Sequence, residues 1–161
     1  MTRRLSLLSV VTVVVGLLLV SSAIGTGEST KAYVMRVEPI CKANTPAIEH
    51  LLTGTRAMAN HVKAVAAGRR FVRASSLFAL MVRRIAAVRR PAPEAAVIAR
   101  WLDKLRDVKQ GLRKLGRALK HRDRLGALNR VGRLRDAGTA ANHVVRGFHF
   151  RYCKIYQSRF S

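Results

Sequence analysis

The chain of 161 residues has room for one domain, and the part beyond its apolar N-terminus is long enough to bury a core without several disulfides. Lys and Arg number 31 against 8 Asp and Glu, a formal net charge of +23, which excludes a charge-balanced surface and points to polyanions: nucleic acid, anionic lipid headgroups or anionic wall polymers. Aromatic residues are only 6%, so the core must be aliphatic, a composition that favours helices over sheets.

Arg3 and Arg4 form a short basic start, and no charge follows from Leu5 to Val20. Ser21, Ser22 and Ala23 then supply the small residues of a cleavage site. Residues 1–24 therefore read as a signal peptide or signal anchor, because Leu5 to Ile24 is also long enough to span a bilayer. Either form exports the rest of the chain. The protein is expected outside the cell or held on the outer side of the cytoplasmic membrane, with Arg3 and Arg4 left inside. Residues 25–32 read as a flexible linker, and 33–161 as a single helical domain.

From Tyr33 to Ala67 apolar residues recur at helical spacing through Val37, Ile40, Ile48, Leu51, Met58, Val62 and Val65. The segment reads as one long helix or two joined pieces, with Pro39 and Pro46 as kinks and Gly68 as a stop. A second helix is expected over about Arg70–Val88, closed by Pro91 and Pro93. The third, starting near Pro93 and Glu94, carries Ile98, Trp101, Leu105, Val108, Leu112, Leu115 and Leu119 at alternating spacings of 3 and 4. That is a heptad seam. Asp123 is a good N-cap for a fourth helix through about Arg146, with Leu125, Leu128, Val131, Leu134, Ala141 and Val145 facing the core and Gly147 ending it. The fold class expected is all-α, an antiparallel four-helix bundle. Phe148, Phe150 and Tyr152 are expected to lie on it from a coil.

Cys41 falls in the first helix and Cys153 beyond the last. An even count in an exported chain favours a disulfide joining them. Two thiols alone make a poor metal site, and the spacing is unlike a Cys-x-x-Cys redox pair. Tyr33 through Cys41, a Tyr-x7-Cys motif, the Pro-rich break after the second helix, and Gly147-Phe148 leading to Cys153 together resemble a group of small exported or lipid-anchored helical proteins of actinobacteria. The resemblance covers most of residues 33–153 and implies helices, a first-to-last disulfide and no particular activity. Many members of that group carry a lipid-attachment cysteine in the leader, which this chain lacks, and most are less basic.

Five histidines raise metal or haem binding. His50 and His61 are eleven apart and would share a face of one continuous first helix, and His143 and His149 lie near the chain end. No Glu-x-x-His or Cys-x-x-Cys-His occurs. Neither do paired carboxylates, a Ser/Cys–His–Asp set or a Gly-rich phosphate loop. The chain is expected to be no enzyme, with no catalytic, cofactor or metal site.

The basic residues carry the remaining signal. Lys109, Arg113, Arg117 and Lys120 form one stripe on the third helix, Arg130 and Arg133 continue it on the fourth, and Arg83, Arg84, Arg89 and Arg90 load the end of the second. Arg outnumbers Lys 23 to 8, which suits bidentate phosphate contacts, although an Arg-rich coding bias gives the same skew. Three functions follow: a non-enzymatic cell-envelope protein contacting an anionic membrane surface or envelope polymer, an extracytoplasmic nucleic-acid binder, and a small-ligand or haem carrier. Export and the lack of aromatics interleaved with the basic residues count against the second.

Overall fold

A computed structural model describes residues 29–59 and 63–156. The apolar leader, residues 1–24, lies outside the described residues, as do His61 and Val62. No helix among the described residues is long and apolar enough to cross a membrane.

The described chain is all-helical: α1 Thr30–Leu52, a short α2 Thr55–Ala59, α3 Ala64–Ala86, α4 Ala95–Lys120 and α5 Arg124–Val144, followed by a 3₁₀ turn at Arg146–Phe148. Each boundary has a local cause. Ser29 caps α1 by accepting the Ala32 N–H at 3.2 Å, so the helix begins inside the stretch read as a linker. α1 runs through both Pro39 and Pro46 and stops where Gly54 takes φ +71°, a left-handed conformation open to glycine. Of the two readings of Tyr33 to Ala67, one long helix or two joined pieces, the chain takes the divided one, and Ala64 to Ala67 already belong to α3. Pro91 and Pro93 separate α3 from α4, and the Asp123 carboxylate caps α5 by accepting the Gly126 N–H at 2.8 Å.

Gly68 does not end a helix. It sits within α3, facing Gly116 of α4, where an added Cβ would fall 2.6 Å from the Gly116 carbonyl oxygen. The two glycines let the backbones approach, and a residue that weakens a helix in isolation is here selected by packing. Ser75, buried on the same seam, donates its hydroxyl to the Lys109 carbonyl at 3.0 Å.

All seven apolar residues of the α4 seam are buried, and α4 is the central element. α3 and α5 pack along it, and α1 packs on α3. α1 and α5 form no comparable interface among the described residues. What joins them is the C-terminal segment. Cys153 is bonded to Cys41 of α1 across a separation of 112 residues. The Glu38 carboxylate, also on α1, accepts the backbone N–H groups of Arg151, Tyr152 and Cys153 at 2.9–3.3 Å. On the other side Asn142 of α5 makes two 2.8 Å hydrogen bonds with the backbone of Ile155. Beneath this clasp Trp101 stacks on Phe150 with ring centroids 5.0 Å apart, Phe150 on Phe148 at 5.7 Å, and Phe148 meets the edge of Tyr33 at 6.4 Å. Phe148 and Phe150 thus lie on the bundle as expected, with Tyr152 half-buried.

The apolar face expected for the fourth helix holds only in its second half. Ala141 and Val145 are buried and Leu134 is partly so, but Leu125, Leu128 and Val131 are 76%, 62% and 53% exposed. Their 3-residue spacing places them together on the helix. No described element covers them.

Candidate functional site

Two features stand out: cations gathered at the end of the molecule opposite the clasp, and a cavity that runs from that end back to the clasp. The first is charge. Along α4, Asp103 pairs with Arg106 and Asp107 with Lys104 at 3.4 Å, so the N-terminal half of the helix is locally balanced. From Lys109 to Arg124 the only acidic residue is Asp123, whose carboxylate is engaged in capping α5. Arg113, Arg117 and Lys120 are exposed and Lys109 is half-buried, and among the described residues none of the four makes an ion pair. Lys114, Arg122 and Arg124 add exposed cations at the same end. Arg117 and Lys120 lie in the last turn of α4, where the negative end of the helix dipole favours them. Like charges four apart on a helix cost roughly 0.2–0.5 kcal/mol each, a repulsion that a bound polyanion would relieve.

The other basic residues singled out in the sequence are dispersed. Arg133 is exposed, but Arg130 is half-buried, with its Nε out of reach of solvent and without a hydrogen-bond partner among the described residues. Arg83 of α3 joins Arg106 and Lys109 around a pocket of about 170 Å³, extending the α4 stripe sideways. Arg89 and Arg90 belong to the clasped end. The Arg89 carbonyl accepts from Arg36 at 3.4 Å, and Arg90 acts on the Tyr33 phenol. Burial pushes that phenol up to about 12, against the opposing pull of the Arg90 charge. Both the Tyr33 hydroxyl and the Trp101 Nε1 are buried without a partner among the described residues.

The second feature is a cavity of about 870 Å³ in the seam between α1–α2 and α5, bounded at the clasped end by Tyr152, Cys153 and Ile155. Its floor is Phe71, Phe78 and Met81 of α3 with Leu112, Leu115 and Leu119 of α4. Ile48 and Leu52 form one wall, and Leu128 and Val131 the other. Inside, the buried Thr55 hydroxyl already donates to the Leu52 carbonyl at 2.6 Å. At the rim stand Arg56, Arg122, Arg124 and Arg135, together with Glu49 and Asp123. Sequence reasoning missed this site, because it assigned Leu128 and Val131 to a closed core.

Among the described residues the histidines do not assemble. His50, His143 and His149 are all exposed, and the pairing of His50 with His61 lies outside the described residues. Among the described residues no three His, Cys, Asp or Glu side chains converge to hold a metal ion. Fold and site together define a basic helical bundle, clasped by one disulfide and lined along one seam by an apolar cavity that reaches from the clasp to the cationic end. No protein-family model, curated protein or solved structure matches the chain.

Proposed function

We propose that this is a non-enzymatic protein of the cell envelope, exported by its apolar leader, whose cationic end contacts an anionic lipid surface. The observation that carries the reading is the run of cations from Lys109 to Arg124, balanced by the single carboxylate of Asp123. Its position supports lipid as the polyanion, since the same end exposes Leu125, Leu128 and Val131. Cations ringing exposed leucines suit a headgroup layer over hydrocarbon better than a nucleic acid or a wall polymer. We read the bundle as antiparallel. Gly68 opposite Gly116 and Ser75 opposite Lys109 step in contrary directions along α3 and α4, which supports that reading and puts the α4–α5 turn at one tip.

The test is co-sedimentation of the full chain with vesicles of phosphatidylglycerol, with phosphatidylcholine vesicles and duplex DNA as competitors. Each Lys or Arg near an anionic surface contributes on the order of 1 kcal/mol, so changing Lys109, Arg113, Arg117 and Lys120 together to Gln weakens binding by roughly 3–4 kcal/mol. Binding falls as salt shortens the electrostatic reach from about 10 Å at 0.1 M to about 3 Å at 1 M. A quadruple variant that binds like the parent contradicts the proposal. So does DNA displacing the protein from the vesicles at lower concentration than the lipid itself.

A further inference from the structure

We propose that the cavity between α1–α2 and α5 is a binding site for a single-chain anionic amphiphile, with its long acyl chain inside and its anionic headgroup among Arg56, Arg122 and Arg124. The inference deepens the lipid reading above and rests on it for the choice of occupant. The volume of about 870 Å³ lies in the range of pockets that enclose a small ligand. Its floor is aliphatic and aromatic, and the fully buried hydroxyl of its lining, on Thr55, is already bonded to the backbone, while Thr45, Tyr152 and Tyr156 add hydroxyls nearer its edges. A ligand against that floor meets Phe71, Phe78, Met81, Leu112, Leu115 and Leu119, so the part buried there is hydrocarbon.

The mouth has a different chemistry. Arg56, Arg122 and Arg124 are exposed, while Asp123 is committed to the Gly126 N–H. Guanidinium groups beside an apolar opening fit a carboxylate or phosphate on a hydrocarbon chain and disfavour a cationic or neutral head. Leu128 and Val131, more than half exposed on the cavity wall, are the side chains such an acyl chain would cover. Surface attachment by the α4 stripe is electrostatic. Chain insertion is apolar and tolerates salt.

The experiment titrates the full chain, disulfide intact, with cis-parinaric acid, a fluorescent long-chain polyene fatty acid, at 0.1 M and 1 M salt. Saturable binding of one probe per chain is expected, displaced by oleate and less readily by oleyl alcohol. Leu128→Glu with Val131→Glu puts two carboxylates against the chain at exposed positions. It should weaken binding about tenfold or more, a loss equivalent to about 1.4 kcal/mol, with an unchanged helical circular dichroism spectrum. Arg122→Gln with Arg124→Gln should erase the preference for oleate over oleyl alcohol. The Gln variant of the α4 stripe should keep parinaric acid binding while losing vesicle binding, so the two proposals fail separately. A photo-reactive benzoylphenylalanine placed at Leu128 reports the occupant directly, and an oleate adduct is expected. Cross-linking to residues 1–28 of the same chain, or to a second copy, overturns the inference. Parinaric acid binding that is indifferent to Leu128→Glu and Val131→Glu does the same.

Discussion

The two ends of this bundle use similar side chains to opposite effect. Around Trp101, the C-terminal segment is driven between α1 and α5 and held there by a disulfide, three backbone hydrogen bonds to Glu38 and a stack of aromatic rings. Around Leu128 no described residue fills the same seam, and three large aliphatic residues face outward. The helices alone therefore do not close the bundle. Closure depends on an additional segment wedged between the first and last helices, and among the described residues only one end has it. The difference runs along the molecule: the clasped end holds the first and last helices together, and the other end presents apolar surface and positive charge.

The largest effect that separates the ends is expected from removing the clasp. Loop-closure entropy across 112 residues gives roughly 4–5 kcal/mol, so the Cys41→Ala, Cys153→Ala variant should unfold at markedly lower denaturant while remaining helical in its absence. Glu38→Ala leaves up to three backbone N–H groups without their charged acceptor and should cost about 2–3 kcal/mol by the same measurement. A mild loss at Glu38 would mean that the segment is held by the disulfide alone.

The Tyr33 phenol gives a smaller, pH-dependent effect. Its folded-state value, pushed up to about 12, lies above the unfolded value near 10. The neutral form is therefore favoured by folding, and that stability is fully present below about pH 10 and lost as pH rises toward 12. The loss is at most about 2 kcal/mol, and chemical denaturation of Tyr33→Phe between pH 9 and 12 should show a correspondingly flatter alkaline limb. At the open end the effects should nearly vanish: Leu128→Ala should change stability by no more than about 0.5 kcal/mol, as at an ordinary surface position. A loss of several kcal/mol there would mean that Leu128 is covered after all.

The same contrast explains what the sequence makes legible. The α4 seam is read correctly because neighbours cover that helix on more than one side, so nearly any apolar position on it is buried. The cysteine pairing and the Asp123 cap rest on equally local or countable signals. The face of α5 is read only in part. Periodicity shows that Leu125, Leu128 and Val131 share a stripe with Leu134, but whether another element lies against that stripe is a matter of tertiary arrangement. Gly68 shows the converse. Its helix-breaking tendency is real, but a close approach to Gly116 outweighs it, and nothing within the α3 sequence marks the partner glycine. Glu38 is a lone carboxylate in a basic chain, and its natural reading is an ion pair. Its acceptance of three backbone N–H groups depends on a segment more than a hundred residues away.

Amide hydrogen exchange along the full chain, with and without phosphatidylglycerol vesicles, tests the two-ended account most directly. Local opening is easiest where few apolar contacts are buried. The predicted result is protection near the global limit over residues 98–112 and at the clasp, weak protection over residues 124–132 of the free protein, and a gain in that segment when vesicles are added. Equal protection at both ends of the free protein, unchanged by anionic vesicles, would contradict the account.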